Sequence, residues 1–274
     1  MDLLRKAKRL LRHYNLSPKK RLGQNFVVNS ALLEEMISYA TVTKDDTVLE
    51  VGAGLGFLTR RLSSKCRSVI AVEVDPKLGE ILRAELTGLS NVTLIEADVL
   101  QASIPPFKKV VSTPPYSISS PLLFWLLEKR FDCAVLTFQK EFAERLAASV
   151  GSKDYGRLTV STYYRAEVEL LRQVPKGMFY PPPDVDSLVV RVKQREEPPF
   201  PVEDEQTFSE LVRILFTQRN KKVRNAITPL LRMRGIQGED ANKLADSLPF
   251  HDKRVRKLAP EDFGNLANVI VRKL

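Results

Sequence analysis

The 274-residue chain predicts an α/β fold: a doubly wound, mainly parallel sheet followed by a small C-terminal all-helical domain. Three observations carry that prediction. Short apolar runs alternate with amphipathic stretches in a strand–helix rhythm across residues 48–150. A glycine-rich turn follows the first of those runs. After a stretch rich in Glu and Pro at 196–201, only helical periodicity remains.

Residues 48–51 read as the first buried strand, then 69–74, 92–95, 109–112 and 134–138 as the second to fifth. Unbroken apolar runs of this length suit strands covered on both faces. Helical candidates lie between or after them at 58–65, 76–86, 121–127 and 140–150. A β-rich section follows, with strands at 167–174 and 187–193 around a proline loop at 181–183. Beyond the linker, 207–216, 222–233, 240–247 and 260–271 carry helical periodicity. The expected division is residues 1–200, opening with a basic segment at 1–22, and residues 201–274.

Composition narrows the function classes. Hydrophobic residues make up 43% of the chain, yet no apolar run is long enough to span a bilayer. The stretch from Met1 to Arg12 carries charge throughout and lacks the apolar centre of a signal peptide. Cys66 and Cys133 read as reduced packing residues of a cytoplasmic protein. With His13 and His251 far apart, no metal-ligand spacing exists, so no metal is expected. The net charge of +10 is uneven: +7 over 1–22, −1 over 23–200 and +4 over 201–274. Basic flanks on a neutral body fit contact with a polyanion, against the simpler reading of a solubilising tail. Membrane-surface binding is a third reading, since Leu3, Leu4, Ala7, Leu10 and Leu11 share helical spacing, but that face has no aromatic residue. The chain is expected to act as a monomer.

The strongest local feature is the segment VLEVGAGLGFLT at 48–59. A buried strand carries Glu50, and Gly52, Gly54 and Gly56 follow at alternate positions before a helix. Glycines suit a sharp turn where a ligand must approach bare backbone. The spacing is G-x-G-x-G rather than the dinucleotide G-x-G-x-x-G, and an acid before the loop suits the amino group of a methionine moiety better than a phosphate. Glu73 closes the second strand, where an acid can accept bonds from both ribose hydroxyls. Asp98 follows the third strand, placed for the exocyclic amine of an adenine. Together, in order, at strand ends of one α/β pattern, these residues spell a site for S-adenosylmethionine.

After the fourth strand comes VVSTPPYSISSP at 110–121. Amino-methyltransferases present the base to be methylated at such a corner. An adenine amine is a poor nucleophile because its lone pair is delocalised into the ring. Acceptors for both N–H hydrogens draw the nitrogen toward tetrahedral geometry. Prolines freeze φ and leave carbonyl oxygens free to accept, and Tyr116 can stack on a flipped base. Positioning, rather than a strong base, carries most of the catalysis.

These segments, with RLGQNF (21–26), YGRL (155–158), FYPPPDVDS (179–187), FTQRNKKVRNAI (216–227) and LAPEDF (258–263), make the chain resemble the small-subunit ribosomal RNA adenine N6,N6-dimethyltransferases along almost its whole length. The resemblance implies a Rossmann-like methyltransferase fold. It implies Asn25 and Val27 bordering the cofactor, Gly52 at its methionine end, Glu73 on the ribose and Asp98 on the adenine. It further implies that Tyr116 and Phe179 sandwich the target base while Pro114 supplies a backbone acceptor. The implied reaction dimethylates two adjacent adenines near the 3′ end of small-subunit rRNA, within small-subunit biogenesis.

One departure matters: the family usually has Asn where this chain has Thr113, a shorter side chain with one hydroxyl. Slowed or altered amine activation is the expectation. For RNA contact, Arg219, Lys221, Lys222 and Arg224 form one basic cluster and Lys253, Arg254, Arg256 and Lys257 a second. Arg5, Lys6, Lys8, Arg9, Arg12, Lys19, Lys20 and Arg21 form a third. Phosphate contacts of this kind carry little sequence information, so an adenine would be selected by RNA shape and by extrusion of the base. Two rivals remain at this point: a large-subunit rRNA adenine methyltransferase, and a weakly catalytic or non-catalytic ribosome-assembly factor.

Overall fold

The structure, a computed structural model, describes residues 2–273 apart from the Lys20 side chain. Met1, Leu274 and the Lys20 side chain of the expected N-terminal basic cluster lie outside the described residues. Contacts divide the chain into two units, Met1–Ala143 with Glu167–Gln194, and Glu144–Ala166 with Arg195–Leu274. The second unit takes in Glu144–Ala166 besides Arg195–Leu274.

Among the described residues, the first unit holds nine strands: β1 (Phe26–Val27), β2 (Thr47–Val51), β3 (Ser68–Val72), β4 (Val92–Ile95), β5 (Lys109–Ser112), β6 (Cys133–Gln139), β7 (Ala166–Val174), β8 (Phe179–Tyr180) and β9 (Ser187–Gln194). Seven of them form one sheet in the order β4, β3, β2, β5, β6, β9, β7. The pairs β3–β4, β2–β3, β2–β5 and β5–β6 are parallel, and β9 runs antiparallel to β6. Val48, Leu49, Val69, Val110, Val111, Val135 and Leu136 are buried, as expected for strands sandwiched between layers.

The chain order reverses at β2, with β3 on one side and β5 on the other. β2 and β3 pair along their whole length, from Thr47↔Ser68 to Val51↔Val72. β2 and β5 pair only at Val48↔Lys109 and Leu49↔Val110, then part. In place of a continued ladder, the buried Ser112 hydroxyl donates to the Val51 carbonyl at 2.5 Å and accepts from the Val51 amide at 3.3 Å. The crevice at the carboxyl ends of an open α/β sheet lies at such a reversal.

Two helices and two short strands have no counterpart in the sequence reading. The helix Ser30–Tyr39 begins at Asn29, whose side chain accepts from the Leu32 amide at 2.9 Å. The two-residue strands β1 and β8 pair antiparallel, Phe26↔Tyr180 and Val27↔Phe179. The helix Arg157–Arg165 joins the second unit. The N-terminal helix Leu3–His13 buries Leu3, Ala7, Leu10 and Leu11 in the core of the first unit, so its apolar face is not available to a membrane surface. No helix among the described residues is long and apolar enough to cross a membrane.

The second unit is helical, built on Arg157–Arg165, Glu205–Thr217, Val223–Ala226, Thr228–Met233, Gly238–Asp246 and Pro260–Lys273. Its core gathers Tyr155, Phe208, Leu211, Leu215, Phe263, Leu266 and Ile270. The buried Tyr155 hydroxyl donates to the Leu258 carbonyl at 2.8 Å, tying the YGRL and LAPEDF segments together.

Candidate active site

Two turns flank the gap between β2 and β5. The first starts at Gly52, whose amide donates to the Val72 carbonyl at 2.8 Å, and Gly52, Gly54 and Gly56 all take positive φ. At Gly52, φ is +76° and an added Cβ would lie 2.9 Å from Pro115 Cδ. At Gly54 it would lie 3.0 Å from Phe26 Cδ1. The turn therefore packs directly on the Pro114–Pro115 corner and on β1, with no room for a side chain. Gly56 differs: it lines no cleft described below, and an added Cβ would meet Leu82 at 3.2 Å. Its place in the sequence pattern is met by the close packing of one helix on another.

A cleft of about 600 Å³ opens on this turn, lined by Asn25, Val27, Glu50, Gly52, Gly54, Glu73, Thr113 and Pro115 among others. A second of similar size continues from Gly52, Glu73 and Pro115 to Asp98. Seven of the eight residues expected around a cofactor besides Gly56 line the first cleft, and Asp98 lies at the far end of the second.

Glu50 is 2% exposed, and its Oε2 has no hydrogen-bond partner. Burial, with the neighbouring Glu73 charge, pushes its carboxyl up to about 8. A buried acceptor without a donor is costly, and an ammonium group supplies both the donor and the compensating charge. The side chain and the bare glycine turn fit S-adenosylmethionine on these grounds. Glu73 is already engaged, accepting from the Gly54 amide at 2.9 Å and the Asp75 amide at 3.0 Å. Burial raises its titration above the ordinary value despite those bonds. A carboxylate has about four acceptor positions, so two remain for a diol. Asp98 accepts from the Leu100 amide at 3.0 Å and from Gln101 Nε2 at 3.2 Å, which fixes its rotamer.

A third cleft, of about 770 Å³, is lined by Pro18, Gly23, Gln24, Asn25, Tyr116, Ser117, Gln139, Pro181, Pro182, Pro183 and Asp184. Gly23, Gln24 and Asn25 line both this cleft and the first. An added Cβ at Gly23 would lie 3.2 Å from the Tyr116 amide. The RLGQNF segment is thus a wall shared by the two spaces. Gln24 and Asp75, which the sequence motifs alone do not single out, hold it in place. Gln24 Nε2 donates to Asp75 at 2.8 Å, its Oε1 accepts from the Lys19 amide at 2.7 Å, and Lys19 Nζ meets Asp75 at 2.8 Å. Burial raises the Asp75 carboxyl, but the bonds from Lys19 and Gln24 outweigh it and hold it below the ordinary range. A signal for Asp75 exists in the Asp-Pro that ends VIAVEVDP, where Asp75 also caps the helix Pro76–Glu85.

Tyr116 lies in the third cleft, its hydroxyl bonded to the Ser187 hydroxyl at 2.5 Å. Burial pushes that phenol up to about 12, so it stays neutral. The Phe179 ring lies 6.4 Å from it, centroid to centroid, inclined at 67°. A purine sandwich needs parallel faces roughly 7 Å apart, twice the contact distance between carbon atoms. Phe179 is instead buried in the core beside Val27. The two aromatic rings adjoin as expected, but their planes are not aligned for a base. Pro114 is buried, and its neighbour Pro115 lines the first two clefts.

In the second unit, the two basic clusters meet. Lys222 and Arg254 form an antiparallel bridge, and the Val255 amide donates to the Lys221 carbonyl at 3.0 Å. Part of their charge is already countered. Lys222 pairs with Asp252 at 2.9 Å, Arg224 with Asp246 and Asp252 at 3.6 and 3.7 Å, and Lys253 with Asp262 at 3.7 Å. Arg219 donates to the Lys153 and Ser152 carbonyls at 2.7 and 2.8 Å, and Arg254 to the Asn220 carbonyl. Only Lys221 of the six has neither an ion pair nor a side-chain hydrogen bond among the described residues. In the first unit, Lys6 pairs with Glu85 and Lys19 with Asp75, while Lys8 lies 5.4 Å over the Tyr180 ring.

The chain is similar to known proteins over nearly its whole length. The family model described as ribosomal RNA adenine dimethylase matches residues 15–270. A Methanosarcina acetivorans protein named "Probable ribosomal RNA small subunit methyltransferase A" is 42% identical over 264 residues, covering 95% of this chain and 96% of its own. A Methanopyrus kandleri protein of the same name is 44% identical over 260 residues, covering 94% of each. Among solved structures, a dimethyladenosine transferase from Plasmodium falciparum superposes with a TM-score of 0.77 at 28% identity, covering 90% of this chain and 98% of that one. The 23S rRNA methyltransferase ErmE gives 0.65 at 29% identity, covering 89% and 98%.

Proposed function

The chain belongs to the ribosomal RNA adenine dimethylase family, and from that premise we propose that it dimethylates N6 of two adjacent adenines near the 3′ end of small-subunit rRNA. The product is N6,N6-dimethyladenosine, formed in the course of small-subunit biogenesis. One observation carries the reading: Gly23, Gln24 and Asn25 line both the cleft suited to S-adenosylmethionine and the cleft holding Tyr116, so the two spaces share one wall.

S-adenosylmethionine supplies an electrophilic methyl carbon on a sulfonium. The chain's own residues hold and aim the two partners. Glu50 takes the ammonium of the methionine end, Glu73 the ribose hydroxyls and Asp98 the adenine amine. Asn25 and Val27 close the cleft from the β1 side. At the acceptor, the Thr113 hydroxyl and the Pro114 carbonyl accept the N–H hydrogens of the target amine. That withdraws its lone pair from the ring and directs it toward the methyl carbon. The neutral Tyr116 stacks on the base, its ring fixed by Ser187. No basic side chain is needed, because the nitrogen turns acidic as it acquires the methyl and then loses its proton to water.

Contact with RNA falls to Arg219, Lys221, Lys222, Arg224, Lys253 and Arg254, through phosphates and in a salt-dependent manner. Acid partners such as Asp252 temper that contact and favour a shaped particle over any polyanion. The chain acts as a monomer in the cytoplasm. Incubation with labelled S-adenosylmethionine and undermethylated small subunits, followed by mapping of modified bases, tests the reading. Label on the two adjacent adenines supports it; label only in large-subunit RNA, or none, overturns it.

A further inference from the structure

Gln139 closes β6 and is the last residue of that strand to pair with β9, directly opposite Ser187. Opposed residues of an antiparallel pair project to the same face of the sheet. The Ser187 hydroxyl on that face bonds the Tyr116 hydroxyl. Gln139 is therefore carried to the side of the sheet where Tyr116 lies, and it lines the third cleft together with Tyr116, Asn25 and Asp184. It is half-buried there. Its side-chain amide makes no hydrogen bond with any described residue, unlike the neighbouring Gln24, whose amide is used at both ends.

An unused amide in a cleft walled by four prolines and an aromatic ring is an orienting group of the kind small-molecule sites employ. Resting on the adenine reading above, we infer that Gln139 donates an N–H to a ring nitrogen of the target base and so fixes its rotation in the cleft. The chemistry of adenine favours this pairing. With the exocyclic amine committed to methyl transfer, every other polar atom of the base is an acceptor, and a glutamine amide offers two donor hydrogens. The contact matters more in the second transfer. A monomethylated amine has one N–H left, so fewer bonds to the corner hold the base, and a ring-nitrogen bond carries a larger share.

The test is a chemical cycle between protein and substrate. The unaltered protein and Gln139→Ala are assayed in single turnover on small subunits reassembled with adenosine, 1-deaza-, 3-deaza- or 7-deazaadenosine at the target positions. The unaltered protein loses about 10-fold on one of the three analogues. Gln139→Ala loses about 10-fold on adenosine and nothing further on that same analogue. It also accumulates monomethylated product, while its affinity for S-adenosylmethionine is unchanged. Equal rates for both proteins on adenosine overturn the inference, as does a Gln139→Ala loss that persists undiminished on all three analogues or that tracks weakened cofactor binding. Failure of the unaltered protein to methylate adenosine overturns the adenine reading itself and this inference with it. Methylation by both proteins with no difference overturns only the inference.

Discussion

Replacing Glu50 by glutamine keeps the shape of the side chain and removes its titration. An ordinary glutamate titrates near 4.5, whereas burial and the Glu73 charge hold Glu50 up at about 8. At about 1.4 kcal/mol per pH unit, ionising it in the cofactor-free protein opposes folding by about 5 kcal/mol at most. The sign follows from the raised value. The neutral acid costs nothing below the unfolded value, and stability is lost as the pH climbs from about 4.5 to about 8, then levels. The Glu50→Gln variant has no such loss. Its stability advantage over the natural protein therefore grows by about 4–5 kcal/mol between about pH 4 and about pH 9. Urea unfolding followed by the fluorescence of the single Trp125, which lies in the first unit, reads the difference. S-adenosylmethionine reverses the ranking above about pH 8, because its ammonium group stabilises the ionised Glu50 and gains nothing comparable from an amide. A stability gap that stays flat with pH would refute the burial argument. A Glu50→Gln variant that binds the cofactor as tightly as the natural protein would refute the ammonium assignment.

Thr113→Asn restores the longer amide at the corner, and single-turnover methylation rises about 10- to 100-fold; an unchanged rate shows that Thr113 is no handicap. Gly52→Ala must hold φ at +76° with a Cβ 2.9 Å from Pro115, which costs about 1–3 kcal/mol. Calorimetry then finds a lower melting temperature and cofactor affinity reduced more than about 10-fold, and full affinity contradicts the close packing of turn and corner. Asp252→Asn removes the acid paired with Lys222 and Arg224, so binding to small-subunit RNA tightens and its salt dependence steepens by about one counterion. Titrations at several salt concentrations that give the same slope for both proteins count against phosphate contact by these cations.

The sheet was legible because its strands are apolar runs of ordinary length. The third and fourth expected strands, 92–95 and 109–112, coincide with β4 and β5. The glycine turn was legible because positive φ and close approach leave few other residues. The helix Arg157–Arg165, in contrast, is written LTVSTYY over most of its length, a composition favoured in strands. Packing of Leu158, Val160 and Tyr164 overrides that local preference. β1 and β8 are two residues each and far apart in sequence, so no periodicity announces them. That pairing nonetheless brings Val27 beside Phe179. The basic clusters were visible as sequence, but their union through Lys222 and Arg254, and the pairing of three of their cations with Asp246, Asp252 and Asp262, arise only from tertiary structure.

A crystal structure with S-adenosylhomocysteine, the demethylated product, puts the account to its most direct trial. The sulfur is expected over Gly52 and facing the Pro114–Tyr116 corner, the amino group on Glu50, the ribose on Glu73 and the purine near Asp98. A ligand whose sulfur points away from Tyr116, or whose amino group leaves Glu50 untouched, contradicts the claim that methyl donor and target base meet between these two turns.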